Sequence, residues 1–179
     1  MTTYYAQIDS PVGALLLTSD GAVLTGMYFL NAPVEESRRS LVAPDWVLDP
    51  AVAPFAETTA QLAAYFAGER QDFDLPLRAE GTGFQQRVWE ELCRIPYGTT
   101  ISYGELARRL GDANACRAVG LANGRNPIAI IVPCHRVIGA NGKLTGYGGG
   151  MDRKKALLDL EARVGGGSPG VGEPQLALL

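Results

Sequence analysis

The chain has 179 residues, enough for one domain or two small ones with a substantial core. Hydrophobic residues make up 46% and charged residues 20%, and no apolar run is long enough to span a bilayer. The N-terminus lacks a basic segment followed by an apolar core, so we expect no signal peptide. Three cysteines without CxxC spacing favour free thiols in a reducing cytoplasm.

The net charge of −3 conceals an asymmetry along the chain. Residues 98–163 carry ten Lys or Arg against five Asp or Glu, whereas the remainder carries six against fourteen. A basic C-terminal part is typical of a surface that binds a polyanion. Solvated surface charge explains the asymmetry at least as well, so charge alone does not decide between the two.

The first thirty residues predict a β-meander, because alternating or apolar segments are separated by turn signals. Three strands are predicted, at residues 4–8, 14–18 and 23–29. Between the last two, Ser19-Asp20-Gly21 favours a tight turn. Residues 31–50 have no clear periodicity and predict mostly loop, with a short helix at residues 35–41.

The following segment has the spacing of one helix, and a short strand comes after it. The predicted apolar positions of the helix are Phe55, Thr59, Leu62, Ala63 and Phe66. Gly68 ends the helix, and residues 72–77 predict the last strand. Nothing here suggests a site, so we interpret residues 1–80 as a structural α/β domain with a small antiparallel sheet.

Residues 81–164 predict a second domain that is mostly helical. One helix opens after Gly81-Thr82-Gly83, and the last helix runs over residues 151–164. Glu161 falls beside the apolar stripe of the last helix, where a buried carboxylate needs a partner. The Gly- and Pro-rich residues 165–179 predict a disordered tail.

Between these helices the sequence predicts a helix-turn-helix. Ser102 and Glu105 have the spacing of a capping box, so a short helix should follow Ser102. A second helix, predicted at residues 113–121, carries Asn114 and Arg117. Many helical proteins that bind no DNA contain this motif, so by itself it is weakly specific.

Residues 126–138 are the strongest functional candidate. A run of β-branched and apolar residues ends at Pro133, and a thiol, an imidazole and a guanidinium follow at Cys134, His135 and Arg136. A neighbouring imidazole can raise the fraction of thiolate, which is the nucleophile. Adjacent side chains of an extended segment point in opposite directions, so a Cys–His relay requires an irregular turn or an intervening water. A reactive thiol and a structural cysteine explain these residues equally well.

A nucleophilic cysteine needs a base, and the base needs an orienting group. His135 is the candidate base, and Glu161 is the best candidate to orient it. His135 is also the only histidine, which excludes a multi-histidine metal site, and three scattered cysteines make a weak zinc set, so we expect no metal. The glycine-rich residues 145–150 lack the Lys-Ser/Thr of a phosphate-binding loop. We interpret them as a wall of the site, with Tyr147 as their aromatic residue.

The segment Pro133-Cys134-His135-Arg136-Val137 resembles the active-site signature of the O6-alkylguanine-DNA alkyltransferases, also called methylated-DNA–protein-cysteine methyltransferases. Further segments resemble the family in the same order and at its spacing: residues 84–89, 95–98, 102–107, 117–120, 126–127, 146–149 and 158–161. The resemblance is strong over residues 81–163 and looser before them. It implies irreversible transfer of the alkyl group of O6-alkylguanine, and less efficiently of O4-alkylthymine, to Cys134 without a cofactor.

The resemblance also implies roles for single residues. Cys134 would be the nucleophile, His135 its base acting through a water, and Glu161 the group that holds the imidazole. Tyr103 would hydrogen-bond or protonate the guanine ring. Arg117 would fill the space left by the extruded base, with its helix in the minor groove. Substrate or DNA contacts are implied for Asn114, Asn126, Pro133, Arg136, Val137, Tyr147 and Gly148.

The implied partner is double-stranded DNA containing alkylated guanine, and we expect a monomer in solution that binds no membrane. Cooperative binding along DNA is left open. A DNA-binding regulator would keep its function in Cys134→Ala, and a thiol hydrolase would turn over acyl substrates and ignore DNA. We favour repair, because neither alternative explains the basic C-terminal part, Arg117 and the Cys-His segment together.

Overall fold

The computed structural model describes residues 1–31 and 33–165, which fall into two compact units. Of the described residues, the first contains residues 1–79 and 127–129, and the second contains residues 80–126 and 130–165. Apart from Gly165, the predicted disordered tail lies outside the described residues. In the described part of the chain, no helix is long and apolar enough to cross a bilayer.

The first unit is built on a four-stranded sheet with the order β3-β2-β1-β4. The strands are β1 (Tyr4–Ile8), β2 (Leu15–Ser19), β3 (Leu24–Phe29) and β4 (Val47–Leu48). The predicted meander β1-β2-β3 is antiparallel, but β4 pairs in parallel with β1, so the sheet is mixed. Every residue of the inner strand β2 is buried, which fits the three consecutive leucines with which it begins.

The strand predicted at residues 72–77 is wrong, because this segment contributes only a single bridge. Leu77 pairs in parallel with Leu24, whose amide donates to the carbonyl of Pro76 at 2.9 Å. Pro76 has no N–H, so a regular ladder cannot continue through it. A second bridge joins Met27 of β3 to Ile128.

Two helices complete the first unit: α1 (Val34–Leu41), close to its predicted range, and α2 (Phe55–Phe66). The buried face of α2 consists of Phe55, Thr58, Gln61, Leu62 and Tyr65. Thr59 and Ala63, predicted to be inside, are exposed. A buried amide accounts for part of this difference, since the Gln61 side chain exchanges two hydrogen bonds of 2.8 Å with the backbone of Asp74.

The second unit is mostly helical. Its helices are α3 (Gly83–Cys93), α4 (Tyr103–Arg109), α5 (Cys116–Gly124) and α6 (Met151–Val164), and its parallel strand pair is β5 (Ile101–Ser102) with β6 (Val137–Ile138). Thr82 and Gln85 form a complete capping box at the start of α3. The buried indole of Trp89 donates to the carbonyl of Ala122 at 2.9 Å and so connects α3 to α5.

The predicted helix-turn-helix is present as α4 and α5, with two differences. Ser102 caps α4 by accepting the amide of Glu105 at 3.0 Å, but the Glu105 carboxylate bonds Arg108 and Arg109 instead of closing a capping box. Helix α5 begins at Cys116, later than predicted, because Asn114 belongs to a turn in which its amide donates to Asp112. Asn114 therefore precedes the helix.

We expect Leu17→Ala in the fully buried strand β2 to lower the free energy of unfolding by about 2–5 kcal/mol, through lost burial and a residual cavity. Leu48→Ala is the matched control, since Leu48 is 59% exposed, and it should change stability by less than about 0.5 kcal/mol. Urea denaturation followed by circular dichroism measures both. Equal losses would contradict the assignment of β2 to the core.

Candidate active site

The backbone around Cys134 is irregular. Ile130 has a φ of 69°, uncommon for a β-branched residue, and a turn of 3₁₀-helix covers Cys134–Arg136 before β6 begins. The extended run that the apolar sequence suggests is therefore interrupted on both sides of Pro133. This is the kind of backbone that a relay between adjacent Cys and His side chains requires.

The Cys134 thiol is buried, with 6% of the residue exposed. Burial raises the pKa of Cys134, and the Asn126 amide and the Lys154 charge oppose that shift only in part. The Asn126 Nδ2 lies 3.2 Å from Sγ and also donates to the Val132 carbonyl at 2.8 Å, so it fixes the turn and the thiol together. At neutral pH the resting thiol is protonated, and it needs a base to become a nucleophile.

His135 has the protonation state of such a base. Its Nε2 lies 2.8 Å from Oε1 of Glu161, and both residues are fully buried. An ionised carboxylate can only accept, so Nε2 carries the proton and Nδ1 has a free lone pair. Nδ1 has no hydrogen-bond partner in the described chain. Burial lowers the pKa of His135, which keeps the imidazole neutral at neutral pH.

Glu161 is ionised although it is completely buried. Burial alone would raise its pKa, but the hydrogen bond from His135 and the guanidinium of Arg136 lower it to about 2. Arg136 binds the carboxylate with both Nε, at 2.9 Å, and Nη2, at 3.0 Å. The Gly98 amide adds a longer contact of 3.3 Å. These donors supply the compensation that a buried charge requires.

Arg136, for which a substrate or DNA contact was predicted, is buried inside the second unit. The residue is 7% exposed, its Nη1 donates to the Ile95 carbonyl at 2.7 Å, and its guanidinium lies 5.5 Å from the centre of the Tyr97 ring. Its donors are thus directed inward, because the Glu161 carboxylate has to be neutralised inside the unit. Arg136 acts as a structural counterion.

Tyr103 begins α4, and its hydroxyl lies 3.3 Å from the Thr145 carbonyl and 3.4 Å from that of Gly146. Burial raises the pKa of Tyr103, so its hydroxyl stays a donor. Residues 145–148 therefore stand next to Tyr103, with Tyr147 half-buried and Gly148 exposed. A Cβ added to Gly120 would lie 3.7 Å from the Tyr103 ring, an ordinary contact distance, so α5 lies against this ring.

Sequence reasoning missed Lys154. Its fully buried ammonium donates to the carbonyls of Val137, at 2.6 Å, and Thr145, at 3.0 Å, and lies 5.9 Å from the centre of the Tyr147 ring. Burial lowers the pKa of Lys154. The lysine therefore ties β6 to the glycine-rich loop. A signal existed in the sequence, because Lys154 and Glu161 lie two turns apart on one face of α6.

The remaining predicted residues divide between the interior and the surface. Pro133 and Val137 are buried, whereas Arg117 on α5 and Asn114 before it are exposed. Among the described residues the Arg117 side chain has no ion pair or hydrogen bond, in contrast to Arg108 and Arg109, which pair with Glu105. Leu121 of α5 is also 58% exposed.

The other cysteines and possible metal ligands do not form a second site. Burial raises the pKa of Cys93 to about 12, so this thiol is protonated, and Cys116 is an exposed free cysteine. Over residues 1–31 and 33–165, no group of three or more His, Cys, Asp or Glu side chains is placed to hold a metal ion.

Family models match both parts of the chain. The ribonuclease-like domain of 6-O-methylguanine DNA methyltransferase matches residues 3–79, and the DNA binding domain of the same family matches residues 83–163. A methylated-DNA–protein-cysteine methyltransferase of Mycobacterium tuberculosis is 58% identical over 158 residues, covering 88% of this chain and 92% of the relative. That of Methanosarcina acetivorans is 53% identical, covering 88% and 97%.

Solved structures agree in sequence and fold. The crystal structure of Mycobacterium tuberculosis OGT in complex with DNA has a TM-score of 0.81 and 55% identity, covering 90% of this chain and 94% of that one. The O6-methylguanine methyltransferase of the same organism gives 0.80 and 56%, with the same coverage. The chain therefore belongs to the 6-O-methylguanine DNA methyltransferase family, the methylated-DNA–protein-cysteine methyltransferases.

Proposed function

We propose that this protein repairs DNA directly, by moving the alkyl group of O6-alkylguanine onto Cys134. The observation that carries the proposal is the state of His135, the residue next to the buried Cys134. Its Nε2 is held by the ionised Glu161, and its Nδ1 has no hydrogen-bond partner among the described residues, so it can accept a proton. The family provides the substrate class, since relatives of this chain are named methylated-DNA–protein-cysteine methyltransferases. O4-alkylthymine is proposed as a poorer substrate.

In the proposed reaction His135 Nδ1 takes the thiol proton through a water, and Glu161 stabilises the imidazolium that forms. The sulfur attacks the alkyl carbon in line with the bond to O6. The S–C bond forms as the C–O6 bond breaks, and the electron pair leaves with the base. Tyr103, a protonated hydroxyl, donates a hydrogen bond to the guanine ring. The product is a thioether, which this site cannot cleave, so each molecule acts once.

Access to a buried thiol requires extrusion of the base from the duplex, which costs a few kcal/mol of unstacking. Helix α5 presents two exposed side chains suited to offset this cost, Arg117 and Leu121. We propose that α5 enters the minor groove and that Arg117 occupies the vacated space in the stack. The free cysteines fit the reducing cytoplasm that we propose as the compartment.

Incubation with a duplex containing one O6-methylguanine should raise the intact mass of the protein once, by about one methylene, at Cys134. Peptide mapping should find the modification there, and Cys134→Ala should gain nothing while it still binds the duplex. Cys116→Ala is the matched control and should be modified normally. Binding of the lesion without any mass change would instead indicate a recognition protein.

The rate of transfer should depend on pH through His135. Because burial lowers the pKa of His135 below 6.5, the protonated ring, which cannot accept a proton, accumulates only at lower pH. The single-turnover rate should therefore stay level from about pH 8 to pH 6.5 and fall in more acidic buffer. Glu161→Gln should slow transfer by about 100-fold or more at neutral pH, through a lost ring orientation. A falling rate already between pH 8 and 7 would argue against a neutral His135 base.

Arg117→Ala should slow transfer from duplex DNA by about 10- to 100-fold, because nothing then fills the stack after extrusion. Arg163→Ala removes the same charge from an exposed position at the end of α6 and serves as the control. Rates on O6-methylguanine in single-stranded DNA, where little stacking is lost, should differ much less between Arg117→Ala and the unmodified protein. An equal loss of transfer rate in both variants would indicate that Arg117 makes only a general phosphate contact.

A further inference from the structure

Asn123 is a buried polar residue for which the proposed chemistry gives no role. It lies on α5, is 3% exposed, and its Nδ2 faces the carbonyl oxygen of Cys134 at 3.4 Å. Its Oδ1 is buried and has no hydrogen-bond partner in the described chain. A buried acceptor without a partner is costly, and in native proteins such an atom usually meets a water or a ligand.

The orientation of this amide is fixed by its surroundings. If the amide were turned by 180°, Oδ1 would face the Cys134 carbonyl oxygen, and two acceptors would then oppose each other. The same amide also interacts with the Tyr103 hydroxyl, where it partly offsets the effect of burial on the pKa of Tyr103. Asn123 thus lies among the groups of the thiol site, and the atom it leaves unpaired is an acceptor.

The base in the proposed function has one donor to offer this acceptor. Alkylation at O6 leaves N1 of guanine without its proton, so the exocyclic 2-amino group carries the only N–H bonds of the base. O4-alkylthymine has no N–H donor at all, since alkylation likewise removes the proton from N3. A buried acceptor that needs a donor therefore favours binding of O6-alkylguanine over O4-alkylthymine.

We propose that Asn123 Oδ1 accepts a hydrogen bond from the 2-amino group of the extruded O6-alkylguanine, and that this contact selects alkylguanine over alkylthymine. The proposal rests on the proposed alkyl transfer and adds a specificity-determining residue to it. A buried side-chain carbonyl reads the base only after extrusion, because α5 holds Asn123 on its inner face. Arg117, on the exposed face, instead fills the space that the extruded base leaves in the stack.

The test removes the donor and the acceptor separately. Single-turnover transfer to Cys134 is measured by intact mass on duplexes with O6-methylguanine or with O6-methylhypoxanthine, the same base without its 2-amino group. In the unmodified protein the loss of this group should slow transfer by about tenfold. In Asn123→Leu, which has a similar volume and no acceptor, the ratio of the two rates should approach one. The rate ratio of O6-methylguanine to O4-methylthymine should fall in the same variant.

Gln61→Met is the control, because Gln61 is another buried amide, bonded within the first unit. It should lower thermal stability and retain the full ratio of rates. Asn123→Ala repeats the test if the leucine variant does not fold. An unchanged ratio in a folded Asn123 variant would overturn the proposal. If the unmodified protein transfers methyl from O6-methylguanine and O6-methylhypoxanthine at equal rates, the role of Asn123 is refuted but alkyl transfer is not. No transfer from either base would refute the proposed function.

Discussion

The interaction on which the site depends is the buried carboxylate of Glu161 between His135 and Arg136. It joins α6 to the turn that contains Cys134, and Arg136 extends the connection to Ile95, just after α3. A carboxylate at this depth is tolerated only because Arg136 balances its charge and His135 donates a further hydrogen bond, so removal of Arg136 would leave an uncompensated charge inside the unit. The same bonds fix the position of the Cys134 turn and the tautomer of His135.

Burial then sets the resting state of the two reactive groups. It raises the pKa of Cys134 and lowers the pKa of His135, so both effects favour a neutral thiol beside a neutral imidazole. A permanent thiolate would react with any small electrophile or oxidant that reached it. A protonated thiol with a poised base becomes nucleophilic as the proton moves, which suits a protein that can act only once.

Sequence periodicity predicted most of the helices and the meander, because those elements follow from local pattern. It placed α5 too early, since the Asp112 turn around Asn114 is made of residues that are also tolerated in helices. The interior partners of Arg136 and Lys154 could not be predicted from the sequence. Both are charged residues whose partners are distant in sequence, and only the fold brings Glu161 to the first and two loop carbonyls to the second.

Helix α5 connects DNA contact to chemistry because its two faces differ. Arg117 and Leu121 are exposed, whereas Asn123 is buried beside Tyr103 and the Cys134 carbonyl. The outer face contains a cation and an apolar side chain, which bind phosphate and stacked bases without reading sequence. The inner face contains a polar group whose unpaired acceptor requires a specific donor. Helix α5 can thus bind a duplex of any sequence with its outer face and still select the alkylated base beside the thiol. The selection comes later because a base reaches Asn123 Oδ1 only after it has left the stack.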